Sequence, residues 1–298
     1  MADSRHIFNS HLSMHPSSML IVLLVSLFVF PAYAQDQVKQ VTTVGKAVIS
    51  GNMTYDQAKG QALNQARALA VEEAAGVNIN NVSIIQDSLM LTDLVKTFSY
   101  GYLVNETSKI WRGSWVKDSS DNNPGYPLIE VSLTGSVKVL PKSFFRNYLL
   151  SVALNKQTFS DGDNVQISIK TREDMYVVVA NYTSKNSIVP VFPSPYDKSN
   201  LVKAGYPLTI PKQSKSGVTL TVNNYNGHNE DIEAFLVFAF PKTPETDKIT
   251  WTSLFEAGEE INYATYFNTL LDLPAPSVAQ QTVVYRVVNN DRQFINAD

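Results

Sequence analysis

Histidine and cysteine, which supply many nucleophiles, proton-transfer groups and metal ligands, are scarce in this chain. It has no cysteine and four histidines, of which His6, His11 and His15 lie before the apolar N-terminal run. His228 remains, in a turn-rich stretch that predicts a solvent-exposed loop, and no G-x-S-x-G motif accompanies it. Zinc or copper sites of the His/Cys type need several such ligands. We therefore predict no catalytic residue, no metal site and no cofactor.

Paired carboxylates are the remaining common route to catalysis, because a glycosidase needs only two acids facing each other across a cleft. Each candidate pair lies in or beside a predicted turn or on a helix surface, where carboxylates are ordinarily solvated. One pair has the spacing of a calcium loop but lacks the later acidic ligands, so a hairpin turn is favoured. No Walker loop or G-x-G-x-x-G motif occurs. The pairs are Asp161/Asp163, Glu173/Asp174, Glu230/Asp231 and Glu259/Glu260.

Aromatic residues supply the candidate interaction surface. Trp111 and Trp115 lie four residues apart on a predicted strand, hence on one face. Such a face could stack on sugar rings or dock a partner, with core packing as the alternative. Phe192 and Tyr196 flank a proline turn and could form an exposed recognition edge, or the prolines could simply protect a sheet edge from aggregation.

The N-terminus predicts export. Arg5 precedes an unbroken apolar run, Met19 to Phe30, which is shorter than the roughly 20 residues that span a bilayer. Ala32-Tyr33-Ala34 then offers a cleavage site, so residues 1–34 are expected to be a signal peptide cleaved after Ala34. The alternative is an uncut membrane anchor. A disulfide-free exported chain is typical of a bacterial periplasm, so we expect a periplasmic protein without an integral membrane segment after cleavage.

Charge and composition exclude several classes of protein. The net charge is −3 and no polybasic run appears, which argues against nucleic-acid binding. Charged residues make up 17% of the chain and aromatic residues 10%, a composition typical of a well-packed, strand-rich protein. The expected fold class is therefore α+β.

Two domains are expected, with a break near Pro141. Residues 38–140 predict a β-α-(α)-β-β domain, with strands over about 100–116 and 126–139 and a short second helix near 89–98. Residues 148–290 predict a mostly antiparallel β-sandwich, because short alternating strands recur with turns between them. One helix, about Leu254–Leu271, is expected to interrupt these strands.

The first helix has clear end signals. Thr54 lies three residues before Gln57, a capping box, and Gly76 has the position of a left-handed C′ residue. The buried stripe is mostly alanine, which predicts that the helix lies close to a sheet. The stripe is expected to contain Ala58, Ala62, Ala66, Leu69 and Glu73.

The second domain resembles the bacterial domain of unknown function catalogued as number 4384. The resemblance covers about residues 150–240. The usual FPN of that family is Phe192-Pro193-Ser194 here, and the family implies no known chemistry. The motifs that carry it are Asp161-Gly162-Asp163, Met175-Tyr176-Val177-Val178, Val191-Phe192-Pro193-Ser194-Pro195-Tyr196-Asp197, Val202-Lys203-Ala204-Gly205 and Leu208-Thr209-Ile210-Pro211.

The first domain resembles the N-terminal domain of flagellar assembly protein T and the related lipoprotein-20 envelope proteins. The resemblance lies in Val44-Gly45-Lys46-Ala47 and in the alanine-rich helix that follows. It implies scaffolding in the periplasm or at the outer membrane, and it brings no catalytic residue.

The sequence thus favours a periplasmic, non-catalytic binding or assembly protein of the bacterial cell envelope. Its partner would be an envelope protein complex or a cell-wall component, and its oligomeric state stays open. The alternative is a glycan-binding protein or a carboxylate-dependent enzyme acting on carbohydrate. A cleft with two facing carboxylates would favour the alternative.

Overall fold

A computed structural model describes residues 38–51, 53–77, 94, 97–117, 125–141, 150–212, 217–225, 228–275 and 277–289. These residues belong to one compact unit, Asp36–Asp298. The expected signal peptide, most of the expected second helix and most of the loop over 117–125 lie outside the described residues.

The N-terminal half is a three-stranded antiparallel sheet with a helix on one face. Strand β1 (Val38–Val48) is followed by helix α1 (Tyr55–Ala75), and β2 (Gly101–Val116) and β3 (Tyr126–Val139) form a hairpin. The strand order is β1-β3-β2, so β2 lies at an edge. The predicted caps of α1 are present: Thr54 and Gln57 form a capping box, and Gly76 has a φ of 67°.

Helix α1 packs very close to β1, as its alanine content predicts. A Cβ atom on Gly45 would lie 1.9 Å from the backbone oxygen of Ala62, so only glycine permits this approach. The expected stripe is wrong at its C-terminal end, because Leu69 and Glu73 are exposed. An i+4 line continues the contact with the sheet instead; its buried members are Ala58, Ala62, Ala66, Ala70 and Ala74.

The C-terminal half is built on one large sheet. The strands of this half are β4 (Ser151–Leu154), β5 (Thr158–Ser160), β6 (Asn164–Val165), β7 (Ile167–Lys170), β8 (Met175–Tyr182), β9 (Ile188–Phe192), β10 (Leu201–Val202), β11 (Leu208–Ile210), β12 (Leu220–Thr221), β13 (Glu230–Pro241) and β14 (Ala279–Val288). The strand order of the large sheet is β10-β8-β13-β14-β5, with β9 also paired to β8. All pairs are antiparallel except β14 with β5. A three-stranded sheet, β11-β7-β4, and a two-stranded pair, β12-β6, accompany it.

The central strands β8 and β13 are buried on both faces, which explains their continuous apolar sequences. Val177 and Phe235 belong to a cluster that also contains the buried side chains of β7 and β11. On the opposite face, Val178 and Phe238 belong to a second cluster, which extends to the buried alanines of α1. The large sheet is therefore the middle of three layers.

The expected helix over 254–271 is shorter than predicted. Helix α2 spans Tyr263–Leu271, and Asn262 caps it by accepting a hydrogen bond from the Thr265 amide. The residues before it are held in another way, because Ile261 forms a β-bridge with Ile188. Gly258 is in the left-handed region at φ 91°, which also ends any helix there. Two short 3-10 helices, Thr246–Lys248 and Trp251–Ser253, lie further upstream.

The fold class is confirmed as α+β with a strand-rich C-terminal half. The boundary near Pro141 stays a prediction, and several aromatic contacts cross it. Phe267 of α2 has its ring centroid 4.7 Å from that of Phe98 and 5.5 Å from that of Tyr102. No helix within the described residues is long and apolar enough to cross a membrane.

Candidate functional site

A charged network lies where the two halves of the chain meet. Arg67 of α1 donates from Nε to Glu106 Oε1 of β2 at 2.6 Å, and Lys109 Nζ lies 2.5 Å from Glu106 Oε2. The Arg67 side chain is 6% exposed and that of Glu106 15%. One carboxylate is thus shared between two cations, one of them buried.

The network continues into the C-terminal half through Tyr182. Arg67 Nη1 donates to the Tyr182 hydroxyl at 3.0 Å, and that hydroxyl donates to Asn64 Oδ1 at 2.8 Å. Asn186 Oδ1 lies 3.1 Å from the same hydroxyl. Asn186 is in the β8–β9 turn at φ 64°, in the left-handed region that asparagine tolerates better than most residues. The turn is thereby fixed against α1.

The protonation states of the network follow from burial and pairing. Burial raises the pKa of Glu106, but the charge and hydrogen bond of Arg67 outweigh it and hold that pKa below its ordinary value. Burial alone would lower the pKa of Arg67, yet Tyr182 and Glu106 raise it, so the guanidinium stays charged. Burial also raises the pKa of Tyr182, which stays a neutral phenol. The junction therefore contains fixed charges at neutral pH.

Strand β2 is irregular where it forms the wall of this site. Its pairing with β3 shifts register twice, between Leu103 and Asn105 and between Glu106 and Ser108. Such bulges redirect side chains beside functional sites. Opposite the first bulge, a Cβ on Gly135 would lie 2.6 Å from the Asn105 backbone oxygen. The bulge thus depends on glycine in the neighbouring strand.

These elements enclose a cavity of about 650 Å³, which we call the junction cavity. That volume falls within the range of small-molecule sites. Its walls come from α1, β2, the β8–β9 turn and the start of α2. The charged and amide residues that line it are Arg67, Asn105, Glu106, Lys109, Asn186, Glu260, Asn262 and Asn268.

The structure separates the two predicted tryptophans. They share one face of β2, since Trp111 pairs with Val131 and Trp115 with Pro127. Trp111 is half-buried against the core, and Lys59 Nζ lies 5.1 Å from its ring centroid. Trp115 is 65% exposed. Only Trp115 is therefore freely available to a partner.

The prediction of an exposed recognition edge at the proline turn is wrong for Phe192. Phe192 is only 2% exposed, because it belongs to the cluster between the two sheets of the sandwich. Tyr196 is 77% exposed on a turn closed by hydrogen bonds between Ser194 and Asp197. Phe192 thus anchors the turn, and Tyr196 remains on the surface.

Two of the predicted acid pairs organise turns. Asp163 accepts from the Ser160 amide and from Lys156, and Asp174 accepts from the Ala204 amide and from Lys203. These bonds lower the pKa of Asp163, through Lys156 first, and that of Asp174, through the Ala204 amide first. Carboxylates held in this way stabilise the turns that contain them.

His228 is not the exposed loop residue that its neighbours predict. Its side chain is 14% exposed, and Nδ1 lies 2.5 Å from Oδ1 of the fully buried Asp231 side chain. Asp231 also accepts from the Tyr225 amide at 2.7 Å. The ring centroids of Tyr225 and His228 are 6.1 Å apart. Histidine and carboxylate together close the loop before β13.

A second buried carboxyl group, Glu233, lies between the strands of the large sheet. Its Oε2 accepts from Asn181 and from the Tyr285 hydroxyl, both at 2.7 Å. Burial raises its pKa above the ordinary range. The aromatic ring of Tyr285 stacks on Phe235 with a centroid distance of 4.8 Å. Glu233 does not line the junction cavity, so it cannot act there as a proton donor.

The residues of the junction network carried no motif in the sequence. Arg67 and Glu106 are 39 positions apart, and Tyr182 lies in the other half of the chain. The one available signal was the presence of two polar residues, Asn64 and Arg67, on an otherwise alanine-rich face of the helix. Among the described residues, no group of three His, Cys, Asp or Glu side chains is placed to hold a metal ion.

The described part of the chain is thus an α+β protein with a β-rich C-terminal half and a charged cavity at the junction of its two halves. Residues 158–260 match the family described as Domain of unknown function (DUF4384). This match confirms the resemblance of the second half to that domain. No curated protein matches the chain.

Proposed function

We propose that this chain is an exported, non-catalytic binding and assembly protein of the bacterial cell envelope. The signal-like sequence over 1–34 supports export to the periplasm. The observation that carries the binding role is the outer end of the β2–β3 hairpin. We call this the hairpin end, formed by Trp115, Val116 and Tyr126, whose exposed fractions are 65%, 42% and 44%.

The hairpin end is exposed because the rest of the sheet does not reach it. Strand β1 ends at Val48, which pairs with Leu128, and the last backbone bond from that side runs from the Ile49 amide to the Pro127 carbonyl, so Tyr126 extends beyond it. In β2, Trp115 pairs with Pro127 and Val116 with Tyr126. Large apolar side chains therefore project from both faces of a two-stranded ribbon.

Strand β2 also presents a free edge to a partner. It is the terminal strand of its sheet within the described residues, and it pairs with β3 alone. An exposed edge strand offers unpaired backbone groups to which another chain can add a strand. Aromatic side chains beside such an edge supply most of the binding energy at many protein interfaces. We therefore propose a protein partner that pairs with the β2 edge and covers Trp115.

The enzymatic alternative has one observation in its favour, since Glu106 and Glu260 both line the junction cavity. A glycosidase needs one of its two acids with a raised pKa, to protonate the leaving group. Glu106 has a lowered pKa and is bonded to Arg67 and Lys109. We accordingly prefer binding over catalysis for this cavity.

Capture from crosslinked envelopes tests the proposed interface. We expect a tagged wild-type chain to enrich a defined envelope protein, and Trp115→Ser and Tyr126→Ser each to lose it. Tyr196→Ser is the matched control, because Tyr196 is an even more exposed aromatic residue but lies on the sandwich. The three variants should melt as the wild type does, since surface substitutions usually change stability by less than about 0.5 kcal/mol.

Two outcomes would refute the interface. Capture that persists in a Trp115→Ser/Tyr126→Ser double variant would remove the hairpin end from the binding role. Sedimentation of the pure protein with isolated cell wall, unaffected by either change, would favour the glycan alternative. Export is checked separately: the protein should fractionate with the periplasm and begin at or near Gln35.

A further inference from the structure

The junction cavity has an excess of positive charge on its inner wall. Arg67 and Lys109 both bond to Glu106, so these three groups sum to one positive charge. A guanidinium has five N–H donors. The hydrogen bonds of Arg67 with described residues, to Glu106 and Tyr182, engage two of them. Donors remain available for another acceptor.

The start of α2 adds further donors to the same wall. The first backbone bond in the helix runs from the Tyr266 amide to the Asn262 carbonyl. The amides of Tyr263 and Ala264 precede it, and both residues line the cavity. Amides at a helix N-terminus, together with the helix dipole, attract anions. The Asn262 side chain satisfies the Thr265 amide, which leaves the amides of Tyr263 and Ala264 as the donors of this end.

A buried donor is also unused. Tyr263 lines the cavity and is 3% exposed, and its hydroxyl has no hydrogen-bond partner among the described residues. Its ring lies 5.4 Å from the Arg67 guanidinium carbon. That hydroxyl is itself inaccessible to solvent, so the donor that Tyr263 offers to a ligand in the cavity is its backbone amide.

The mouth of the cavity limits which anion it can take. Glu260 is exposed and supplies a negative charge among the lining residues. One net positive charge inside and one negative charge at the mouth favour a monoanion over a dianion. The asparagine amides around the cavity can both donate to and accept from the polar groups of a ligand.

We propose that the junction cavity binds the carboxylate of a small polar molecule, with Arg67, Lys109 and the first amides of α2 as its donors. Two sources offer this chemistry, a sugar acid and the free C-terminus of a short peptide. The proposal does not depend on the hairpin end, which contributes no residue to the cavity.

Calorimetric titration of the full chain with matched acids and neutral analogues tests the assignment. The pairs are glucuronate with glucose, and N-acetyl-Ala-Ala with its C-terminal amide. We expect one acid to bind and its neutral counterpart to fail. If both neutral compounds bind as well as the acids, or if inorganic phosphate binds more tightly than either acid, the assignment is overturned.

Three substitutions locate the binding in the cavity. Lys109→Gln should weaken the acid roughly tenfold or more, because it removes a charged donor. Glu260→Gln should tighten it by roughly two- to fivefold, because it removes a repulsive charge. Lys46→Gln is the control, since Lys46 is a half-exposed lysine that pairs with Glu130 on the N-terminal sheet. Equal affinities across all three variants, or failure of both acids to bind the wild type, would refute the proposal.

Discussion

Glu106→Gln is the sharpest test of the junction network. The substitution keeps the size of the side chain but removes its charge. Arg67 would then stay buried and charged without its ion-pair partner. One terminal group of glutamine is an NH2, which cannot accept a hydrogen bond from Arg67 or Lys109. The variant should therefore lose much more than one hydrogen bond.

The expected cost follows from the burial of the pair. Removing one partner of a buried ion pair costs about 3–5 kcal/mol, whereas an exposed pair contributes about 0–1 kcal/mol. The Glu106 side chain is 15% exposed and that of Lys109 is 37% exposed, so water partly screens the charge of Glu106. We expect about 3 kcal/mol, at the low end of the buried range. Glu130→Gln, which breaks the exposed pair with Lys46, should cost at most about 1 kcal/mol.

Urea unfolding across acidic pH measures both the cost and its origin. The folded pKa of Glu106 lies below its unfolded value. Its stabilisation is therefore complete above the unfolded pKa and is lost as the pH falls through the folded pKa. Glu106→Gln should remove this part of the acid dependence, so the two curves should converge at low pH. A variant that costs no more than Glu130→Gln, or a constant difference at all pH values, would refute a buried ion pair.

Three further predictions concern other buried groups. In the wild type, the free energy of unfolding should decline as the pH rises from the unfolded pKa of Glu233 towards its raised folded pKa. Glu233→Gln should abolish this decline. An unchanged dependence of the urea-derived free energy on pH would contradict this. Gly45→Ala should cost at least about 2 kcal/mol, because the new Cβ collides with the α1 backbone, while Gly113→Ala has open space and should cost less than about 1 kcal/mol; equal melting shifts would refute the close packing. His228→Ala should keep partner capture but lose about 1–3 kcal/mol, because it leaves a buried carboxylate without one partner; an unchanged unfolding midpoint would contradict this.

Local rules account for the parts of the fold that the sequence predicts well. The helix over 55–75 has a capping box, a repeating alanine line and a terminal glycine, and each acts within a few residues. The strands over 101–116 and 126–139 are set by alternation and by the polar loop between them. Such signals need no knowledge of the rest of the chain.

The candidate site depends on contacts that no local rule contains. Glu106 faces Arg67 from a stretch of β2 whose pairing with β3 shifts register on both sides of it. Tyr182 is the last residue of an apolar strand, where tyrosine is common, so its type does not indicate a role in a polar network. Phe192 shows the opposite error. It lies between Pro190 and Pro193, a context typical of exposed turns, but its side chain is buried in the core. Burial is decided by tertiary packing, which the sequence pattern of a turn does not reveal.

The roles of the sandwich and of the elements that cover it follow from the burial of β8 and β13 on both faces. A sandwich sheet usually has one face in water and alternates polar and apolar residues, but these strands are apolar on both faces. Something must therefore cover the outer face, and that cover includes α2 and the N-terminal half. Both lie outside the matched stretch of residues 158–260. Arg67, Glu106 and Lys109 come from the same covering elements, whereas Glu260, the fourth charged residue of the junction cavity, is the last residue of the matched stretch. The positive charge of the cavity therefore comes from the covering elements and not from the sandwich.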